Sequence, residues 1–281
     1  MFCVQRIASL DLPELAPYRT LRRAAEHAAQ GIFVAEGDKV VRRLLESSFG
    51  VRSVLLPENR LAEFEALLQA RPETDIPVFA ITKKSILEEL VGFEMFQGVL
   101  AVGHIPRRTT LEQILGETFS PRLFAAVDGL TSAENIGLLV RNCAAFGAQA
   151  LIVGETCTSP FLRRAVRNSM GAIFKLPVVE LKTEMRQPPI ALAAALGGLR
   201  AVGIRCLAAH PHTEKKYLSQ ANLSGDCCLV FGSEGNGLSP DVLAACDEAV
   251  AVPMANGVDS LNVGAAAAVF LYEAARQRNT V

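Results

Sequence analysis

The sequence predicts an α/β protein of two domains, each a sheet layered with helices. Three observations predict it. Short apolar runs alternate with longer amphipathic segments along most of the 281 residues, and the runs of the second half are continuous rather than alternating. A polar break between His104 and Ser120 separates the two series.

Met1 to about Thr20 has mixed polarity, two prolines and no sustained period, so residues 1–20 read as an arm that packs on something else. A helix-forming segment from Leu21 opens the first domain, expected over residues 21–104. Strands are expected at Ile32 to Ala35, Val51 to Leu56, Val78 to Ile81 and Gly98 to Val102. Helices are expected at Asp38 to Ser48, around Ala62 to Ala70 and at Lys84 to Leu90. Residues 105–119 read as a linker.

The second domain, 120–281, repeats the alternation. Strands are expected at Leu123 to Val127, Ala150 to Val153, Ile173 to Val179, Arg205 to Ala209, Cys227 to Phe231 and Ala249 to Val252. Helices are expected at about Asn135 to Phe146, Pro160 to Met170, Ala191 to Leu199 and Leu261 to Arg276, the last with Ser260 as its N-cap. Continuous apolar strands fit a parallel sheet covered on both faces.

Composition excludes several classes. With 50% hydrophobic and 20% charged residues the chain is ordinary globular material. A net charge of -1 gives no global attraction to polyanions, so such a partner must be met by a local basic patch. Seven cysteines without a C-x-x-C pair read as reduced small hydrophobes of a cytoplasmic protein. The longest strongly apolar run, Val263 to Tyr272, is too short to span a bilayer, so no membrane partner is expected.

Familiar sites are missing too. Gly232, Gly235 and Gly237 are spaced G-x-x-G-x-G, not G-x-G-x-x-G, which argues against a dinucleotide-binding oxidoreductase. There is no P-loop, no G-x-S-x-G and no H-E-x-x-H. His210 and His212 lack metal-site companions, so they read as loop histidines and no metal is expected.

What remains is a constellation in three pieces. Asn135-Ile-Gly-Leu-Leu-Val-Arg141 opens a helix with an amide and places Arg141 nearly two turns inside. Gly232 to Leu238 is a backbone-rich loop after a strand, with Glu234 among glycines. Ser260 to Asn262 precedes an Ala-rich helix. Alone, Asn135 is a helix cap, Arg141 a solvated charge, Glu234 a loop acid and Ser260 another cap.

Together, NIGLLVRNCAAFGA, LVFGSEGNGLS and VPMANGVDSLNVGAAAAVFLYEA resemble, in order, the three motifs of the SpoU family of RNA ribose methyltransferases, within the SPOUT class. The resemblance covers Leu123 to Ala275, including the segment from Arg163 to Val178 that links the first two motifs. Leu21 to Gly103 is more loosely similar to the family's amino-terminal substrate-binding domain, related to a ribosomal-protein fold. Gly264 and Cys143 stand where other small residues are expected.

The resemblance implies methyl transfer from S-adenosylmethionine to a ribose 2′-hydroxyl of structured RNA, ribosomal or transfer. It also implies a homodimer and a carboxy-terminal parallel-sheet domain carrying a trefoil knot, a threading that pattern alone never predicts. It makes Arg141 the central catalytic residue, supported by Asn135, Glu234, Ser260 and Asn262. Glu234 is expected to hold Arg141 or Asn135. Ala208, Phe231, Gly232, Gly235, Leu238, Val252, Met254, Leu261 and Asn262 are expected at the cofactor. Local positive charge at Arg107, Arg108, Arg163, Arg164 and Arg167 is the expected RNA contact, against the plainer reading of a solvated face. A non-catalytic RNA- and S-adenosylmethionine-binding module of the same fold is the alternative, and it predicts damaged motifs that this sequence does not show.

Overall fold

The continuous apolar runs of the second half become one six-stranded sheet, and the shorter runs of the first half a five-stranded one, in a computed structural model that describes residues 2–82, 98–181, 191–211 and 216–280. The strands are β1 (Phe2–Ile7), β2 (Ile32–Glu36), β3 (Val51–Pro57), β4 (Ile76–Ile81), β5 (Leu100–His104), β6 (Leu123–Val127), β7 (Ala150–Val153), β8 (Val178–Glu180), β9 (Arg205–Ala209), β10 (Cys227–Phe231) and β11 (Glu248–Val250). The helices are α1 (Ala16–Arg19), α2 (Ala24–Ala29), α3 (Asp38–Leu45), α4 (Leu61–Gln69), α5 (Leu111–Glu117), α6 (Ala133–Ala145), α7 (Arg163–Asn168), α8 (Leu192–Ala201), α9 (Pro240–Ala245) and α10 (Val263–Gln277). The helix expected at Lys84 to Leu90 lies outside the described residues.

Two compact units result: Met1–Arg107 with Phe161–Phe174, and Arg108–Pro160 with Lys175–Val281. The first differs from the sequence division at both ends. Residues 1–20 are not an arm, because β1 pairs parallel with β4 and closes the sheet edge, while Leu15 and Tyr18 are fully buried. Burial pushes the Tyr18 phenol up, and its hydroxyl meets Ser53 Oγ at 2.8 Å. The sheet order is β1-β4-β3-β5-β2, with β5 antiparallel to both β3 and β2.

The second difference is Phe161–Phe174, whose sequence lies between β7 and β8 but whose side chains belong to the first unit. Phe161 and Phe174 pack on Phe33 and Phe49, with ring centroids 5.4–6.3 Å apart. Gly103 on β5 has no Cβ because the Phe33 ring lies across it. This clustering explains why the strand expected from Ile173 to Val179 is instead a 3-10 turn at Ala172–Phe174 followed by β8.

In the second unit all six strands run parallel, in the order β11-β9-β10-β6-β7-β8. Helices α5, α8 and α9 cover one face through Ile114, Leu192, Leu196, Leu199 and Val242, over Phe124, Ile152, Cys206 and Val230. The stretch expected as linker thus ends in a helix with a Thr110–Gln113 capping box and a core residue. Helices α6 and α10 pack on each other, and Phe270 of α10 meets Phe231 of β10 edge-on at 5.8 Å. Cys143, Cys157, Cys206, Cys227 and Cys228 are buried as expected, and burial pushes the Cys143 thiol up to about 12; Cys3 is exposed.

Candidate active site

The order of strands in the parallel sheet changes direction around β6 and β10, the position at which open α/β sheets form a crevice beyond the carboxyl ends of their strands. A cavity of about 290 Å³ lies beside that position, on the β10 side, walled by the ends of β9, β10 and β11 and by the loops that follow β10 and β11.

Both loops are shaped by backbone constraints. After β10, Ser233 and Gly237 exchange two backbone hydrogen bonds of 3.0 and 2.9 Å, folding the intervening residues into a tight knuckle. Gly232 allows this closure, since a Cβ there would overlap the backbone of Gly237 and Leu238. Gly235 differs, for a Cβ on it meets nothing. Asp128, at the end of β6, pins the loop from below: its carboxylate accepts the Ser239 amide at 2.7 Å and its own amide donates to Phe231 O at 2.9 Å. After β11, Asn256 (φ 55°) and Gly257 (φ 72°) form a left-handed turn closed by Val258 N donating to Ala255 O. That reversal brings Met254 and Ser260 to the same cavity.

The three sequence-distant pieces converge on one hydrogen-bonded knot of side chains. Asn135 Nδ2 donates to Glu234 Oε1, and Asn262 Nδ2 donates both to Glu234 Oε1 (2.8 Å) and to Asn135 Oδ1 (3.2 Å). Glu234 thus holds Asn135, one of its two expected partners. Asn135 is not the cap of its helix: Ser132 is, accepting the Asn135 amide at 3.3 Å, so the Asn135 side chain is left for the network. The last helix begins later than expected, at Val263, and its cap is Asn262, whose Oδ1 accepts the Gly264 amide at 2.9 Å. Ser260 lines the cavity instead.

Arg141 stands exposed on α6, in the half of the helix away from Asn135. Of the residues expected at a cofactor, Phe231, Gly232, Gly235, Leu238, Val252, Met254 and Leu261 line the cavity. Ala208 does not, being wholly buried within β9; the next residue, Ala209, reaches the cavity because it ends the strand. Asn262 sits in the network beside it. His210, read as a loop histidine, lines the cavity, with its amide donating to Val250 O at 3.0 Å; its position right after a strand end was the available signal. His212 lies outside the described residues.

The basic residues divide. Arg163 and Arg167, one turn apart on α7, both donate to the buried carboxylate of Glu36, Arg167 at 2.7 Å. Arg107, Arg108 and Arg164 are exposed.

A family model described as the SpoU rRNA Methylase family matches residues 122–272. The chain belongs to that family. Its members' chemistry is methyl transfer, and the match spans all three pieces of the network. An uncharacterized tRNA/rRNA methyltransferase of Mycobacterium tuberculosis is 31% identical, over 97% of this chain and 92% of its own length. The 23S rRNA (guanosine-2′-O-)-methyltransferase RlmB of Pseudomonas putida is 30% identical, over 81% and 89%. Among solved structures, the SpoU methyltransferase AviRb from Streptomyces viridochromogenes in complex with the cofactor AdoMet superposes with a TM-score of 0.79 at 26% identity, over 96% of this chain and 99% of that one. No helix among the described residues is long and apolar enough to cross a membrane.

Proposed function

We propose that this SpoU-family enzyme methylates a ribose 2′-hydroxyl of a structured RNA, ribosomal or transfer, with S-adenosylmethionine in the cavity beyond β9, β10 and β11. The observation that carries the reading is the Asn135–Glu234–Asn262 network, which joins the three family motifs at the rim of that cavity. The cavity fits the cofactor's chemistry. Phe231, Leu238, Val252 and Met254 offer apolar walls for an adenine, and the glycine loop, with Gly232, Gly235 and Gly237 all lining the cavity, offers backbone polar groups at close range.

When bound, S-adenosylmethionine supplies a methyl group activated on a sulfonium. The chain's own residues supply placement and charge. Arginine side chains keep their proton at ordinary pH, so Arg141 orients the phosphate and hydroxyl of the target nucleotide and stabilises the negative charge developing on that oxygen, while the hydroxyl proton passes to solvent water. Orientation of this kind is worth up to roughly 7–11 kcal/mol of barrier. Asn135, Glu234 and Asn262 act as positioning residues, locking the start of α6 to the glycine loop and to the start of α10.

The finer reading extends to topology and partners. The carboxy-terminal domain carries a trefoil knot that threads the chain through the region of the two cavity loops, and a crystallographic chain trace would check it. Two copies pair through the exposed face of α10, where Val269 and Tyr272 remain accessible and Tyr272 stacks edge-on with Phe146. Arg107, Arg108, Arg164 and the exposed side of Arg167 meet RNA phosphates, while Arg163, whose side chain is 19% exposed against Glu36, is structural. The enzyme works in the cytoplasm.

The test uses RNA from a strain lacking the gene, with methylated positions mapped. The wild-type protein should restore one ribose methyl group. Arg141→Ala should lower that turnover by about 10²–10³-fold with cofactor affinity and the sedimenting dimer unchanged. Undiminished turnover in Arg141→Ala removes its role, and a wild-type protein that modifies only bases removes the ribose assignment.

A further inference from the structure

We propose that Asn142 is a positioning residue for the methyl transfer, acting through the first turn of α10; the inference rests on the reading of the site given above. Asn135, Leu138 and Asn142 fall at i, i+3 and i+7 of α6 and therefore share one face of that helix. Each meets the start of α10 at a successive level. The Asn135 side-chain Oδ1 accepts from Asn262 Nδ2 at 3.2 Å. Leu138 lies under Gly264, where an added Cβ would be 3.2 Å from Leu138 Cβ, so the backbone of α10 rests directly on α6. Asn142 Nδ2 donates to Gly264 O at 2.7 Å, across 122 residues of sequence.

Gly264 is therefore gripped at both ends of its backbone. Its amide donates to Asn262 Oδ1 at 2.9 Å, and its carbonyl accepts from Asn142. The first of these bonds decides which way the Asn262 amide faces: with Oδ1 committed to the cap, Nδ2 must turn toward Glu234 and Asn135. The second sets where along α6 that cap stands. A carbonyl oxygen has two lone pairs, so Asn142 can bind Gly264 O without displacing an intrahelical bond. A relay results, from Asn142 through the Gly264 peptide to Asn262 and on to Glu234. It begins one residue after Arg141, so the same helix segment that presents the guanidinium also fixes the register of the network. Gly264 is one of the two positions at which another small residue is expected, and the close approach to Leu138 gives the choice of glycine a physical reason.

Asn142→Asp keeps the size of the side chain but replaces the donor by a charged acceptor set against the Gly264 carbonyl. Steady-state kinetics on the validated RNA should show kcat lowered about fivefold to tenfold, the scale of one net hydrogen bond, with KM for RNA, affinity for S-adenosylhomocysteine and melting temperature within twofold or a degree or two of wild type. Asn142→Ala combined with Asn262→Ala should be no slower than Asn262→Ala alone, because both act through one relay. Unchanged kcat, an equal fall in kcat and cofactor affinity, or multiplicative losses in the double variant would each overturn the proposal. A wild-type protein without turnover would sink the methyltransferase reading instead. The relay then stands or falls on ligand-free NMR: Asn142→Asp should speed hydrogen exchange of the Asn262 side-chain amide, and unaltered exchange refutes it.

Discussion

Two carboxylates, Glu36 and Glu234, show how differently one charge can be held. Glu36 ends a strand of the first unit, is 5% exposed, and is answered by two guanidinium groups from α7. Glu234 sits in the glycine loop of the second unit, is exposed, and is answered by two neutral amides. Full counter-charge cancels the field of Glu36 and makes it a fastener for a returning segment of chain. Amide donors fix the position of Glu234 without cancelling its charge, so its field stays available at the rim of the cavity. The difference separates a structural ion cluster from a site.

The same substitution at both positions should break the symmetry. Glu234→Gln should fold with wild-type stability yet lose about 10²-fold in turnover, since the network keeps its shape but not its charge. Glu36→Gln should leave turnover per folded molecule unchanged and lower stability in urea by about 2–3 kcal/mol, below the usual cost of breaking a buried pair because Arg167 is 62% exposed. Stability and turnover moving together in both variants would erase the distinction.

Much of this contrast was legible in the sequence, and the part that was not has a physical cause. Continuous apolar runs marked the parallel sheet, and glycine spacing marked the loops. Glu234 could be paired with Asn135 only through the ordered motifs. Arg163 and Arg167 could not be paired with Glu36, because no local pattern records that a segment between two strands of one sheet belongs to the same unit as β2. Nor could the true cap of α10 be read: Ser260 and Asn262 are both good caps, and the left-handed turn at Asn256 and Gly257 decides between them by setting where the chain re-enters. The displacement of one residue from Ala208 to Ala209 reflects strand burial, which a run of alanines does not announce.

Glycine positions sharpen the comparison at smaller scale. Gly232→Ala pushes a methyl into the backbone of Gly237 and should cost about 2 kcal/mol, opening the loop that carries Glu234; calorimetry should find cofactor affinity down by tenfold or more. Gly235→Ala, facing open space, should change affinity less than threefold. Equal losses at both positions would mean that the knuckle does not shape the cavity.

A third carboxylate, Glu73, is held in yet another way. Its two oxygens accept from Arg71 at 2.5 and 2.9 Å and from the Val51 amide at 2.9 Å. Arg71 is itself buried, with further bonds to the carbonyls of Leu45 (3.0 Å) and Phe49 (2.7 Å), so the pair ties the end of α3 to the start of β3. The Arg71 hydrogen bond, opposed by partial burial and helped by the Val51 amide, holds the Glu73 carboxyl down to about 2. An unfolded chain binds this proton near the ordinary value of 4.5, so between the two values it holds more protons than the folded one. The stabilisation is therefore complete above about pH 5 and is lost as pH falls toward 2. With 27% of the side chain exposed, solvent screening brings it to about 1–2 kcal/mol. Urea unfolding of Glu73→Gln should show that deficit at pH 7, with more than half of it gone at pH 3. A Glu73→Gln deficit that stayed constant between pH 7 and pH 3 would show that the loop is fastened by packing around Arg71 and not by the charge.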